Sequence, residues 1–346
     1  MKSFTTLQKL KPGDKVAVLS PASDMAGRFP WVQELGLKRL TDVFGLQPVE
    51  YASTRQLNVS IEVRAKDLMA AYADPEIKAV IASIGGQDQI KLIKHLDPEV
   101  FKNNPKAFFG FSDNTHFGSF LWNLGIPSYY GGCLMTQYGM QEKMHDYTVK
   151  YLKHAIFDTG EFEFTRSEMY NEITSDWADP KCLDIPRQMV KNEDWLWDGN
   201  EDVEGILWGG CLESHVVQSA ASVFMPSDSD IDGTILFLES ADGNTDWWVY
   251  EYILTGFGER GWLNRFKAIL IGRPKSWEQD LQRTPEGIAK YVKDQQNIII
   301  KTVREYNKNI PVIQNLDFGH TDPQAVLPKG QKARVVSSEK KIFLTY

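Results

Sequence analysis

The stretch "KAFFGFSDNTHF" (residues 106–117) decides the fold. Its first half is a run of strand-forming residues. Gly110 breaks the run, Ser112 and Asp113 follow, and a helix is expected beyond them. A strand that turns sharply into a helix is the repeating unit of a parallel sheet with helices on its faces. The same unit recurs upstream. "DKVAVLSPAS" (14–23) reads as a buried strand closing at a Ser-Pro corner. "WVQELGLKRLTDVFG" (31–45) has helical spacing and a C-terminal glycine. "QPVEYA" (47–52) is a short strand, and "IEVRAKDLMAAYADP" (61–75) is a helix stopped by Asp-Pro. "IKAVIASIGG" (77–86) is an apolar strand running into Gly85 and Gly86. In such sheets ligands sit beyond the carboxyl ends of the strands, where "SIGGQ" and "GFSDN" both fall.

The second half repeats the alternation. "VEGILWGGCLESHVVQSAASVF" (203–224) reads as strand, Gly-Gly turn and helix. Strands follow at 233–240, 266–274 and 310–320, the last ending at His320, with helices at 247–261 and 287–307 and a closing pair of strands at 332–346. Between the halves the pattern weakens into a polar, turn-rich stretch carrying Trp177, Trp195 and Trp197. Such a stretch is a crossing linker or a functional loop. Three parts are expected: an N-terminal α/β unit (1–160), a crossing segment (161–202) and a C-terminal α/β unit (203–346).

A chain of 346 residues exceeds what one core usually serves. Lys plus Arg is 38 against 46 for Asp plus Glu, a net charge of −8, with no basic cluster. That excludes a nucleic-acid polymer as partner and argues against an anionic membrane surface. Three widely spaced cysteines form neither a disulfide framework nor a zinc site. With no signal-peptide pattern and no apolar run of membrane length, a cytoplasmic location is expected. HExxH, paired CxxC and GxxxxGK[ST] are all missing, so metal and ATP readings lack support.

Four places can carry chemistry. A serine at a strand–turn–helix corner, as at Ser112, is exposed and close to helix N–H groups that stabilise an oxyanion. The generic G-x-S-x-G elbow is not met, however, and a helix cap formed by Ser112 or Asp113 is the simpler reading of that stretch. Gly85 and Gly86 permit close backbone approach, so an N–H there, with that of Asp113, could complete an oxyanion hole; an ordinary βα turn is the alternative. Among six histidines only His320 lies in a Gly/Pro-rich loop at a strand end. His116 is expected to point away from the corner, His95, His145 and His154 to lie on the surface, and His215 to be packed. Glu239 ends the apolar run "TILFLE" and needs a partner if buried; a solvated strand end is its alternative. Ser112, Glu239 and His320 give the order nucleophile, acid, base. Cys133 and Cys211 sit in apolar "GGCL" contexts and read as buried.

Together, "LKPGDKVAVLSPAS", "RAKDLMAAYADPEIKAVIASIGG", "GFSDNT", "VEGILWGGCLE", "LFLES" and "GHTDPQAVLPKG" resemble the LD-carboxypeptidase and microcin C immunity (MccF-like) family of serine peptidases. The resemblance spans most of the chain. It implies an N-terminal domain like class I glutamine amidotransferases, a C-terminal swivelling β/α domain, a homodimer and a site at the domain interface. It implies Ser112 as nucleophile, Glu239 and His320 as its partners, and the N–H groups of Gly86 and Asp113 as oxyanion donors, without metal or cofactor. Two departures bear on substrate: Ser240 follows Glu239 where relatives often have Asp, and Gln324 follows Pro323 where the carboxypeptidase branch has Asn. The family implies a small substrate, either a murein tetrapeptide or an aminoacyl or peptidyl adenylate. The tryptophan-bearing segment resembles the adenylate-cleaving branch more, with Gly85 and Trp177 in contact with substrate and Trp177 stacking on a base. A non-catalytic binding protein on this scaffold would be signalled by an incomplete triad, and all three residue types are present.

Overall fold

A computed structural model describes residues 2–241 and 243–346. Strands β1 (Lys15–Leu19), β2 (Gln47–Glu50), β3 (Ile77–Ala82), β4 (Ala107–Gly110) and β5 (Ser128–Tyr130) form a parallel sheet in the order β5-β4-β3-β1-β2. Its central strands are apolar on both faces because helices cover both sides. The helix Pro30–Phe44 opens on proline and closes at Gly45 with φ 67°, a conformation open to glycine.

The chain continues through β6 (Glu161–Phe164), β7 (Met169–Tyr170), β8 (Val190–Lys191), β9 (Leu196–Asp198), β10 (Asp202–Cys211), β11 (Thr234–Glu239), β12 (Ala268–Gly272) and β13 (Val312–Leu316). It ends in β14 (Leu327–Lys329), β15 (Lys332–Val336) and β16 (Lys341–Thr345). The second sheet has the order β6-β16-β15-β10-β11-β12-β13-β9, parallel from β10 to β13 and antiparallel at its flanks. Strand β14 does not join it. It crosses back and pairs antiparallel with β5, Leu327 opposite Tyr130.

Two details differ from the sequence reading. The segment 161–202 supplies both edge strands of the second sheet, β6 and β9, as well as the hairpin β7–β8. Strands of two to four half-exposed residues carry too little periodicity to stand out. Gly209 and Gly210 are not a turn; β10 runs through them to Cys211. A Cβ at Gly209 would lie 1.8 Å from the Phe237 carbonyl oxygen, and one at Gly210 would lie 2.5 Å from Thr115 Cγ2. These glycines serve close packing instead of chain reversal.

The sheets are joined by a continuous core. Along β11, Ile235 and Phe237 belong to the cluster that includes Val80, Phe109 and Tyr130 of the first sheet. Leu236 and Leu238 belong to a second cluster beneath the helices Trp247–Glu259 and Pro285–Tyr306. Period-two alternation thus gives β11 one face toward the first domain and one toward its own helices.

Gly210→Ala should cost about 1–3 kcal/mol by overpacking against Thr115, read from urea unfolding. Lys329, at the end of β14, is 1% exposed and donates to Ser119 Oγ at 3.0 Å. Burial pushes its ammonium down to about 7. An unfolded lysine titrates near 10.4, so between those values the unfolded chain binds more protons and stability rises with pH. Below the lower value the charging penalty is complete. The stability of Lys329→Met relative to wild type should therefore be highest below pH 7 and decline toward pH 10. A difference that does not vary with pH would contradict a burial-depressed lysine.

Candidate active site

The parity of β11 places Glu239 on the same face as Ile235 and Phe237, toward the first domain. Its side chain is fully buried. His320 Nδ1 lies 2.7 Å from Glu239 Oε2, and the Tyr130 hydroxyl donates to Oε1. These two partners offset the desolvation of the carboxylate. Room for it comes from Gly319, φ 98°, where a Cβ would lie 2.5 Å from Oε2, and from Gly272, where a Cβ would lie 2.7 Å from Glu239 Cβ. His320 sits four residues beyond the end of β13, not at the strand end itself, with its ring 4.9 Å from that of Phe111. A carboxylate only accepts, so Nδ1 carries the ring proton and Nε2 of the neutral imidazole keeps its lone pair.

Ser112 follows β4 in a short 3-10 turn with φ 63°. A non-glycine residue there is strained, and such strain clusters at functional corners. From 107 to 122 it is the one residue that is not buried. Its N–H donates to the Tyr130 hydroxyl at 3.3 Å. A Cβ at Gly85 would lie 2.9 Å from Ser112 Oγ and 3.5 Å from the Asp113 nitrogen, so the "SIGG" turn abuts the serine. Gly86 lies against the Ala22 carbonyl, 2.0 Å from where its Cβ would be. Neither Ser112 nor Asp113 caps the helix Thr115–Asn123 through its side chain. Asp113 Oδ2 instead accepts the Gln89 N–H at 3.0 Å. Among the described residues no hydrogen bond joins Ser112 directly to His320. They share one cavity, and Tyr130 links the serine backbone to the acid.

That cavity has a volume of about 950 Å³, and Gly85, Gly86, Ser112, Asp113, Trp177 and His320 all line it. Trp177 is half-buried, packs edge-on against Phe29 at 5.7 Å, and its carbonyl accepts the Trp31 indole N–H at 3.1 Å. Trp195 is instead committed to structure, donating to Asp317 and packing on Phe164. His116 does not turn away as expected: its Nε2 lies 3.3 Å from Asp113 Oδ1, and Gln218 meets its Nδ1. His145 and His154 are half-buried, and burial lowers His145 to about 4. His215 is packed.

Several groups at the site escaped the sequence reading. Tyr130 is one. Arg187 pairs with Asp322, and Lys275 with Glu278 at 2.7 Å, all four on the cavity wall. Glu213 accepts from the Ala241 N–H and the Thr245 hydroxyl, tying both positions to the start of the helix Leu212–Ala221. Burial and Glu213 push the Cys211 thiol well up, and burial pushes Cys133 up to about 12, so neither is a ready thiolate. Among the described residues no group of three or more His, Cys, Asp or Glu could hold a metal ion. No helix among them is long and apolar enough to cross a membrane.

A strained serine and a histidine bonded to a buried carboxylate are the parts from which a serine nucleophile is activated. Comparison with known proteins gives the family. Residues 16–131 match the LD-carboxypeptidase N-terminal domain and residues 204–335 the LD-carboxypeptidase C-terminal domain. The YocD protein of Bacillus subtilis is 28% identical over 97% of this chain and 98% of its own. The microcin C7 self-immunity protein MccF of Escherichia coli is 26% identical over 83% of this chain and 79% of its own. A probable murein peptide carboxypeptidase of Bacillus subtilis is 25% identical over 96% and 91%. Two solved structures share the fold at 26% identity. An MccF-like protein from Bacillus anthracis superposes with a TM-score of 0.84 over 98% of this chain and 99% of its own. An MccF-like protein from Streptococcus pneumoniae, in complex with AMP, gives 0.83 over 96% and 99%. The chain belongs to the LD-carboxypeptidase family, hydrolases of peptide amide bonds among whose members is the microcin immunity protein MccF.

Proposed function

We propose that Ser112, His320 and Glu239 form a catalytic triad. The observation that carries this reading is the 2.7 Å contact from His320 Nδ1 to a buried Glu239, in the cavity that also exposes the strained Ser112. With Nδ1–H held by Glu239, the Nε2 lone pair takes the Ser112 proton as the serine oxygen attacks an amide carbonyl. The developing oxyanion is met by the backbone N–H groups of Asp113 and Gly86. The leaving amine takes the proton from His320, and water then releases the acyl group from Ser112 by the same route. Glu239 stays ionised and stabilises the imidazolium.

The substrate we infer is an aminoacyl or peptidyl adenylate whose amide is cut at Ser112, with the base against Trp177. An AMP complex of an MccF-like relative supports a nucleotide ligand. The wall offers a second argument. Both Arg187 and Lys275 are already paired with acids, Asp322 and Glu278. A substrate ending in a free carboxylate beside the scissile bond, as a murein tetrapeptide does, would compete for cations that are committed. The reading includes a homodimer in the cytoplasm, working without metal or cofactor.

A fluorophosphonate probe should label wild-type protein at Ser112, and His320→Ala should slow labelling by at least about 10²-fold. Ser112→Ala should lower turnover of aspartyl sulfamoyl adenosine by at least about 10³-fold without changing the melting temperature. Retained turnover would refute the triad. Trp177→Ala should raise KM for the same compound roughly 5- to 150-fold, the loss of one stacked base. Cleavage of murein tetrapeptide, with the adenylate analogue left intact, would select the carboxypeptidase reading instead.

A further inference from the structure

Tyr130 is one of the groups at the site that the sequence reading did not find. It ends β5, in the first sheet, and is 3% exposed. Its ring lies between Phe111, at 6.2 Å, and Phe237 of β11, at 5.2 Å. Its hydroxyl has one proton to give, and it goes to Glu239 Oε1. The same oxygen accepts the Ser112 N–H at 3.3 Å. One hydroxyl thus touches the backbone of the serine in one domain and the carboxylate of the acid in the other. Burial and the neighbouring Glu239 charge both push the phenol well above its ordinary value, so it remains a donor.

We propose that Tyr130 is a positioning residue of the hydrolytic site, joining the strained Ser112 turn to Glu239 across the domain interface; this rests on the triad reading above. Three consequences follow from the geometry. Occupying Oε1 leaves Oε2 as the oxygen that meets His320. Sharing the carboxylate's charge with a phenol weakens its pull on the His320 ring proton. Accepting the Ser112 N–H holds that residue in its left-handed conformation, and a hydroxyl that accepts also donates more strongly. The aromatic packing alone would need only a phenylalanine. The hydroxyl does what the packing does not.

Among the described residues, Cys211 acts on Tyr130, Tyr250 is coupled to Glu239, and Glu278 to His320. The test leaves all three in place. Inactivation by a fluorophosphonate is measured across pH, because it reports the nucleophile whatever the natural substrate. Tyr130→Phe should lower the limiting rate of inactivation roughly 10- to 100-fold with the half-saturating probe concentration unchanged, the size of effect expected when a hydrogen bond that supports the base is removed. Glu239, left without the phenol proton, holds the imidazolium more tightly, so the acid limb of the profile should move to higher pH. Replacing Tyr130 alone with 3-fluorotyrosine keeps the size and strengthens the donor, so the limb should move to lower pH. This second variant decides the matter if Tyr130→Phe does not fold. Phe237→Leu, which loosens the ring packing without touching the hydroxyl, should lower the melting temperature and leave the limb where it was.

Opposite displacements of the limb by the two tyrosine variants would establish the proposal. An unmoved limb in folded 3-fluorotyrosine protein, or a Phe237→Leu limb that moves as far as that of Tyr130→Phe, would overturn it. Failure of the wild-type protein to be labelled at Ser112 would instead remove the triad reading itself.

Discussion

A single buried carboxylate organises the centre of this molecule. Glu239 has no contact with solvent, and an ionised group in that position persists only where its oxygens are met by donors. The donors come from distant parts of the chain: His320 from a loop after β13, Tyr130 from the end of the first sheet. The two positions that make space for it, Gly272 and Gly319, come from β12 and from the His320 loop. Removing either donor would leave a low-dielectric pocket with a poorly satisfied charge. The geometry of the site is therefore enforced by the cost of burying that charge as well as by packing.

The position of the site follows from the two-faced second sheet. One side of β11 packs on the first domain and the other lies under its own helices. The side facing the first domain brings the end of β11 to the end of β4, where the chain turns through Ser112. Neither domain contains a complete site. The first contributes a strained serine and the glycine turn that abuts it, and the second contributes the acid and the imidazole. The aromatic contacts Tyr130–Phe237 and Phe111–His320 bridge the two halves at this point.

Much of this was legible in the sequence because the relevant signals are local. Continuous apolar strands ending in glycine or serine fixed the alternation of β3, β4 and β11, and a carboxylate after an apolar run marked Glu239. Ser112 illustrates the boundary of local reading. By itself the stretch favoured a capping serine, since helix starts are common and the generic elbow was missing; the positive φ, the cavity and the missing side-chain cap appear only in three dimensions. Tyr130, Arg187 and Lys275 were not legible. Tyr130 meets Glu239, 109 positions away, because the packed sheets bring the ends of β5 and β11 together, and the Arg187–Asp322 and Lys275–Glu278 pairs depend on loop conformations and not on a spacing rule. Gly209 and Gly210 were misread for a related reason: two glycines between apolar residues signal a turn locally, whereas here they admit Phe237 and Thr115 from neighbouring elements.

The return of β14 to the first sheet has a mechanical meaning. Residues 317–326 run from β13, bound into the second sheet, to β14, bound beside β5 in the first. His320 lies on this short span. The chain after His320 is thus stitched to both halves, and the domains cannot swing apart as a clamshell does without stripping β14 from its partner or drawing the imidazole off Glu239. Access to the cavity is left to the loops around its mouth, and the His320–Glu239 contact does not depend on the two halves parting.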